Sequence, residues 1–238
     1  MGFLINPYMF GFAGETDLHL DNVEIETAQT TASSRSLSFE VGANGASATE
    51  KKMLIVGISG GGATLTVSSV TYAGVSMTAL ASGGTGAPYF SEFRAFYLLD
   101  PPTGTADIVA TQSGSTNMSI KIAFSVYGVK QAAPTAVGSG RYATPNTITQ
   151  SITASVAGSW LMSALYGSNP NNATSPSNYF DATELGYLDD GISNYYYNGL
   201  DKSPAIGSAS APSFNYKHPA NSNAQPVAMF SVILEPFA

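Results

Sequence analysis

The sequence predicts an all-β protein, an antiparallel β-sandwich of jelly-roll type with an extended N-terminal arm, and three observations carry that expectation. Helical periodicity is almost absent along the 238 residues. Period-two alternation recurs between Gly, Pro, Asn and Ser punctuation, the pattern of strands separated by turns. Strand-like segments follow one another with no helix between them, so the chain has to bury apolar sheet faces by stacking or closing sheets.

Taken in chain order, residues 1–22 do not alternate cleanly and read as an appended arm. Residues 23–238 read as a single sandwich domain. Val23 and Ile25 alternate with Glu24 and Glu26, and Leu37, Phe39 and Val41 with Ser36, Ser38 and Glu40, giving two half-buried strands. The stretches 53–59 (MLIVGIS), 96–100 (FYLLD) and 227–234 (VAMFSVIL) are apolar at nearly every position. Such runs belong to central strands, or to strands whose second face another layer or subunit covers. Ala73-Gly74 marks a tight hairpin, and Pro101-Pro102-Thr103-Gly104 separates two strands.

The clearest alternation spans 117–127, with Met118, Ile120, Ile122, Phe124 and Val126 on one side. Asn117, Ser119, Lys121, Ala123 and Ser125 fall on the other side, which is expected to be wet. Residues 147–156 repeat the pattern with a Ser/Thr face of high β-propensity and no charge. Trp160 alternates with Leu161 and is assigned to the core. Residues 167–225, rich in Asn, Pro, Ser and Tyr, read as long loop insertions over the scaffold.

Composition narrows the function classes. Charged residues make up 11% of the chain, under half of the roughly 25% typical of soluble domains. Ser, Thr, Asn and Gly must therefore wet the surface. The net charge is −7 and no basic run exists to neutralise phosphates, so nucleic acid is not an expected partner. The chain has no cysteine, hence no disulfide, thiolate nucleophile or Cys-based metal site. No apolar run approaches the 18 or so residues of a membrane span, and no membrane insertion is expected. The start MGFLINPYMFGFAG lacks a basic region before Arg35, so export by a signal peptide is not expected either.

Several motifs invite chemistry. Gly57-Ile58-Ser59-Gly60-Gly61 matches the G-x-S-x-G of a nucleophile elbow, with aspartates and His218 following in hydrolase order. The elbow needs a helix directly after the serine, yet residues 62–67 remain strand-forming. Random placement of 24 Gly and 30 Ser gives roughly 0.3 such matches. The pattern is read as a turn between strands. Gly60-Gly61-Gly62 lacks the Lys-Ser/Thr of a phosphate loop. Asp17, His19 and Asp21 would share one side of an extended segment, as half a metal site does, but no partner cluster accompanies them and they read as solvated. Asp181, Glu184, Asp189 and Asp190 cluster without the spacing of an EF-hand and read as an acidic turn. No catalytic residue, metal or cofactor is expected from these residues.

Tyrosine is more informative. Tyr166, Tyr179, Tyr187, Tyr195, Tyr196, Tyr197 and Tyr216 sit in or beside the least regular segment. In an extended Tyr195-Tyr196-Tyr197 run the rings alternate sides, so one core cannot bury all three. Tyr179, Tyr187, Tyr195, Tyr196 and Tyr197 are the candidate surface-recognition residues, suited to stacking on sugar or to a protein contact. Padding beneath a long loop explains them equally well.

The segments TYAGVSMT (71–78), FYLLDPPTGTADIVATQSGS (96–115), SIKIAFSVYGVKQAAPT (119–135), SWLMSAL (159–165) and AMFSVILEP (228–236), in this order, resemble a β-sandwich domain of virion proteins of tailed bacteriophages. The opening FLINPYMFG is similar to the short arm by which fibre, spike and decoration proteins attach to the particle. Ala73 stands where such domains usually have Asn, and Phe96 where an aromatic such as Trp is common. The resemblance implies a non-enzymatic, virion-located structural protein. Phe3, Leu4, Ile5, Asn6, Pro7, Tyr8 and Phe10 would form its docking arm. It also implies a homo-oligomer, a trimer by analogy with fibres, with other virion proteins as partners and loops turned toward a host surface glycan. The alternative from another class is a glycan-binding module or glycosidase of β-sandwich fold, which exposed tyrosines and scattered acids permit.

Overall fold

The computed structural model describes residues 17–26, 30–45, 50–61, 66–84, 91–113, 117–143, 147–152, 156–168, 183–189, 196–202, 213–217 and 225–237. Among them the chain is all-β, with antiparallel pairing throughout and no helix.

The first half of the chain builds two sheets. A central sheet has the order β1-β10-β4-β8-β7, from β1 (His19–Ile25), β10 (Asn117–Tyr127), β4 (Lys52–Gly61), β8 (Ser91–Leu99) and β7 (Thr78–Gly84), with β2 (Thr30–Thr31) also pairing β10. An outer sheet has the order β3-β9-β5-β6, from β3 (Ser34–Val41), β9 (Gly104–Gln112), β5 (Val67–Tyr72) and β6 (Val75–Ser76). The second half supplies a covering sheet, β11-β17-β13-β15-β14, from β11 (Thr135–Ala143), β17 (Gln225–Leu234), β13 (Trp160–Ser168), β15 (Tyr196–Lys202) and β14 (Thr183–Asp189). β12 (Thr147–Ser151) and β16 (Ser213–Lys217) pair separately.

Two cores lie on the two faces of the central sheet. Leu54, Val56, Ile58, Phe96, Met118, Ile120 and Ala123 meet Phe39, Val41, Val70, Tyr72, Ile108 and Ala110 of the outer sheet. On the other face Met53, Ile55, Phe93, Ala95, Ile122, Phe124 and Val126 meet Met162, Ala164, Ala228, Phe230, Val232 and Leu234 of the covering sheet. This double coverage explains the continuously apolar runs: β4, β8 and β17 are each flanked by a strand on both sides, and β4 is buried on both faces. Ser163 and Ser231, buried on the far face of the covering sheet, satisfy each other across β13 and β17 at 2.9 Å.

Four expectations change. The face of β10 expected to be wet is buried at every residue described there: Ser119, Lys121, Ala123 and Ser125 are all fully buried. A bulge between Ile120 and Ile122, in the pairing with β4, also breaks the apolar set in two. Met118 and Ile120 enter one core, whereas Ile122, Phe124 and Val126 enter the other. Second, residues 167–225 contribute three strands, β14, β15 and β16, where loop insertions were expected. Third, the end of the expected arm belongs to the body. Leu18 is buried in the core beneath the covering sheet, and β1 pairs β10 from His19 onward. Fourth, the expected two packed sheets become a central sheet covered on both faces.

Turn chemistry agrees with the sequence where the residues are described. Ala73 (φ 49°) and Gly74 (φ 78°) form the two-residue hairpin between β5 and β6. Both positions need positive φ, which suits glycine and is costly for alanine. The Pro101–Gly104 segment links β8 to β9. Trp160 packs partly buried against the core beneath the covering sheet.

Candidate functional site

The residues singled out by sequence fall into three groups. Phe3, Leu4, Ile5, Asn6, Pro7, Tyr8 and Phe10 lie outside the described residues, as do Asp181, Asp190, Tyr179 and Tyr195. Glu184, Tyr187 and Asp189 lie on β14, the edge strand of the covering sheet, and Tyr196 and Tyr197 on its neighbour β15. The register sets Asp189 opposite Tyr197, Tyr187 opposite Gly199 and Glu184 opposite Asp201. On its other side β15 meets β13, with Tyr197 opposite Gly167 and Tyr196 opposite Ser168. Strand pairing therefore gathers three of the five candidate tyrosines and two of the four clustered acids onto one sheet edge.

The nucleophile-like motif has another purpose. Ser59 sits inside β4, two residues before that strand ends, rather than in the turn expected for it. Its flanks in the sheet are Ser119 on β10 and Phe93 on β8. It is fully buried and its Oγ has no hydrogen-bond partner among the described residues, whereas an activated serine needs a base within hydrogen-bond reach. The motif's first glycine is there for packing. A β-carbon on Gly57 would meet Phe93 Cζ at 2.2 Å, and that ring stacks on Phe230 with centroids 5.1 Å apart.

Asp17, His19 and Asp21 do not converge. His19 is exposed and stacks on Tyr127 at 4.8 Å. Register slips between Leu20 and Asn22, which turns Asp21 inward. There its carboxylate accepts hydrogen bonds from Gly42 N–H (2.6 Å), Asn44 N–H (3.1 Å) and Ser125 Oγ (2.7 Å). Asn44 Nδ2 donates to the Asp21 carbonyl. Beside it, Asn22 Nδ2 donates to the Glu40 carbonyl at 2.9 Å, and Glu26 pairs with Arg35 at 2.7 Å. β1 thus stitches the central sheet to β3 at the edge of the outer sheet, using the acids that sequence reading left solvated. Among the described residues no group of three or more His, Asp or Glu could hold a metal ion.

The solvent face of the outer sheet is rich in hydroxyl side chains, with Val109 partly exposed between Ser36 and Thr71. Ser34, Ser36 and Ser38 on β3, Thr105 on β9, and Ser68 and Ser69 on β5 are exposed, with Thr71 and Thr111 partly so. Thr111 Oγ1 bonds Ser69 Oγ at 2.6 Å and Ser68 Oγ at 3.0 Å, so the hydroxyls interlock across strands. Glu40 and Asp107 are the exposed acids among them. Sequence alternation made the β3 portion visible; that β9 and β5 extend it depends on pairing that alternation does not specify. Beneath this face Tyr72 is fully buried and donates its hydroxyl to the Gly104 carbonyl at 2.6 Å. Burial pushes its phenol above the ordinary range; a backbone hydrogen bond at Val41 acts the other way, and the charges of Asp21 and Glu40 add to the rise.

Comparison with protein-family models, with curated proteins and with solved structures finds no match to this chain.

Proposed function

We propose that this chain is a bacteriophage virion structural protein, of tail or head fibre, spike or decoration type, that oligomerises through its β-body and docks on the particle by its N-terminal segment. The observation that carries the reading is the outer sheet's solvent face, a broad array of Ser and Thr with few charges. Lateral contacts between copies are depleted in charge, and a chain of net charge −7 self-associates with least repulsion where charge is sparse. The segments carrying the resemblance support it as well, since they coincide with strands of the scaffold: β5 to β7, β8 and β9, β10, β13 and β17. In residues 17–127 the chain crosses between central and outer sheets from β2 to β3, β3 to β4, β4 to β5, β6 to β7, β8 to β9 and β9 to β10. This alternation supports a sandwich of jelly-roll type formed by these two sheets.

In this reading residues 1–16 dock, the body forms a homo-oligomer of threefold symmetry, and the β14–β15 edge with Tyr187, Tyr196 and Tyr197 faces a host glycan. Light scattering on the full chain tests it: a defined oligomer at micromolar concentration is expected, dissociating when Ser36 and Thr71 are both changed to Glu. A stable monomer overturns the assembly role. Labelled antibody against the β-body should decorate intact particles, and undecorated particles overturn the virion assignment.

A further inference from the structure

The sequence holds two Asn-Gly pairs, Asn44–Gly45 and Asn198–Gly199. In such a pair the glycine nitrogen can approach the preceding side-chain amide carbon because no β-carbon stands in the way. The fold puts the two pairs in opposite settings. Asn198 and Gly199 lie within β15, opposite Tyr166 and Leu165 of β13 on one side and Leu188 and Tyr187 of β14 on the other. Ring closure there would have to break pairing with two strands. Asn44 and Gly45 occupy the exposed turn after β3. Gly45 N–H donates to the Gly42 carbonyl across a long 3.3 Å, and among the described residues, its chain neighbours aside, no atom lies within 4 Å of the place its β-carbon would take. The nucleophile is weakly held, and no described side chain crowds it.

We propose that Asn44–Gly45 is a self-modification site, at which the folded protein displaces its own side-chain amide and thereby unlatches β1 from the 42–45 turn. Gly45 N forms a bond to Asn44 Cγ, the Cγ–Nδ2 bond breaks, and Nδ2 leaves as ammonia with the proton from Gly45 N. Water then opens the five-membered imide at either carbonyl, leaving aspartate or isoaspartate at position 44. No oxidant or reductant is required. The consequence follows from the neighbours. Asn44 Nδ2 donates to the Asp21 carbonyl, and Asn44 N–H to the Asp21 carboxylate at 3.1 Å. The product replaces a donor with an anionic acceptor beside a carbonyl oxygen and a fully buried carboxylate. Isoaspartate also lengthens the main chain by one carbon and shifts the register of the turn.

The experiment is prolonged incubation of the full-length protein in warm neutral buffer, followed by peptide mapping by mass spectrometry and by amide hydrogen exchange. The mass gain of an amide-to-acid exchange should accumulate at Asn44 at least several-fold faster than at Asn198, and the two rates should converge in the urea-unfolded chain. The Gly42 amide, bonded to Asp21 at 2.6 Å, should lose protection in the aged sample and equally in freshly made Asn44→Asp. Conversion at neither site, or at Asn198 as fast as at Asn44 in the folded protein, overturns the site. Full protection of Gly42 in Asn44→Asp overturns the unlatching.

Discussion

An alanine at position 57 would drive its β-carbon into the Phe93 ring, itself fully buried and stacked on Phe230. Since neither ring can move without opening a core, Gly57→Ala should cost about 1–3 kcal/mol, read as a lower urea midpoint at unchanged m-value. Tyr72 gives a pH-dependent counterpart. Its phenol titrates above the ordinary value in the folded protein, chiefly through burial. The stabilisation tied to the neutral hydroxyl is complete below the unfolded value near 10 and is lost as pH climbs through the raised folded value. Stability should therefore fall on the alkaline side, and Tyr72→Phe should flatten that limb of a denaturation series while leaving the neutral region the less stable for loss of the Gly104 bond. A steep alkaline limb retained in the variant would assign the effect to other groups. At this scale the sequence was legible where one residue type permits one geometry. It spoke for Gly74 in the hairpin but not for Gly57, whose partner is 36 positions away in the chain.

At the scale of elements, β1 is held by hydrogen bonds as much as by apolar contact. Asp21→Ala would leave the Gly42 and Asn44 N–H groups and the Ser125 hydroxyl without their acceptor. The expected cost is about 3 kcal/mol, with hydrogen-exchange protection at Gly42 and Asn44 lost before that of β4. Uniform loss across both strands would show that the latch is no separate unit. Alternation foretold the existence of β1, β3 and β10, but not the bulges in β1 and β10 that reassign their side chains. A bulge is a property of a strand pair, and a single strand's pattern is silent about it. Lys121 illustrates this. Period two put it in solvent, whereas it sits at the β10 bulge and is fully buried. Likewise β14 and β15 were hidden by the Asn, Ser and Tyr composition around them, because an edge and its neighbour need less apolar surface than a central strand.

For the whole molecule, Leu18 and Asp21, both buried, tie the chain into the body from residue 18 onward. Removing residues 2–16 should change the melting temperature little, while removing residues 2–22 should lower it by roughly 5 °C or more through loss of core contact and latch. Equal effects of the two deletions would place structural weight before Asp17. The all-β class was legible because composition and alternation act locally. The number of layers was not: apolarity on both faces of β4 announces two covers without saying whether another subunit or the same chain provides them. Here residues 135–237 provide one of them.

That arrangement has a bearing on biosynthesis. Met53, Ile55, Phe93 and Phe124 have their partners Ala228, Phe230, Val232 and Leu234 in β17, about a hundred or more residues further on. While the ribosome is still elongating, an emerging polypeptide that has finished its first two sheets displays a broad greasy surface with nothing to seat against it. Its vulnerability to clumping, and its appetite for a chaperone, should end only when β17 has left the exit tunnel.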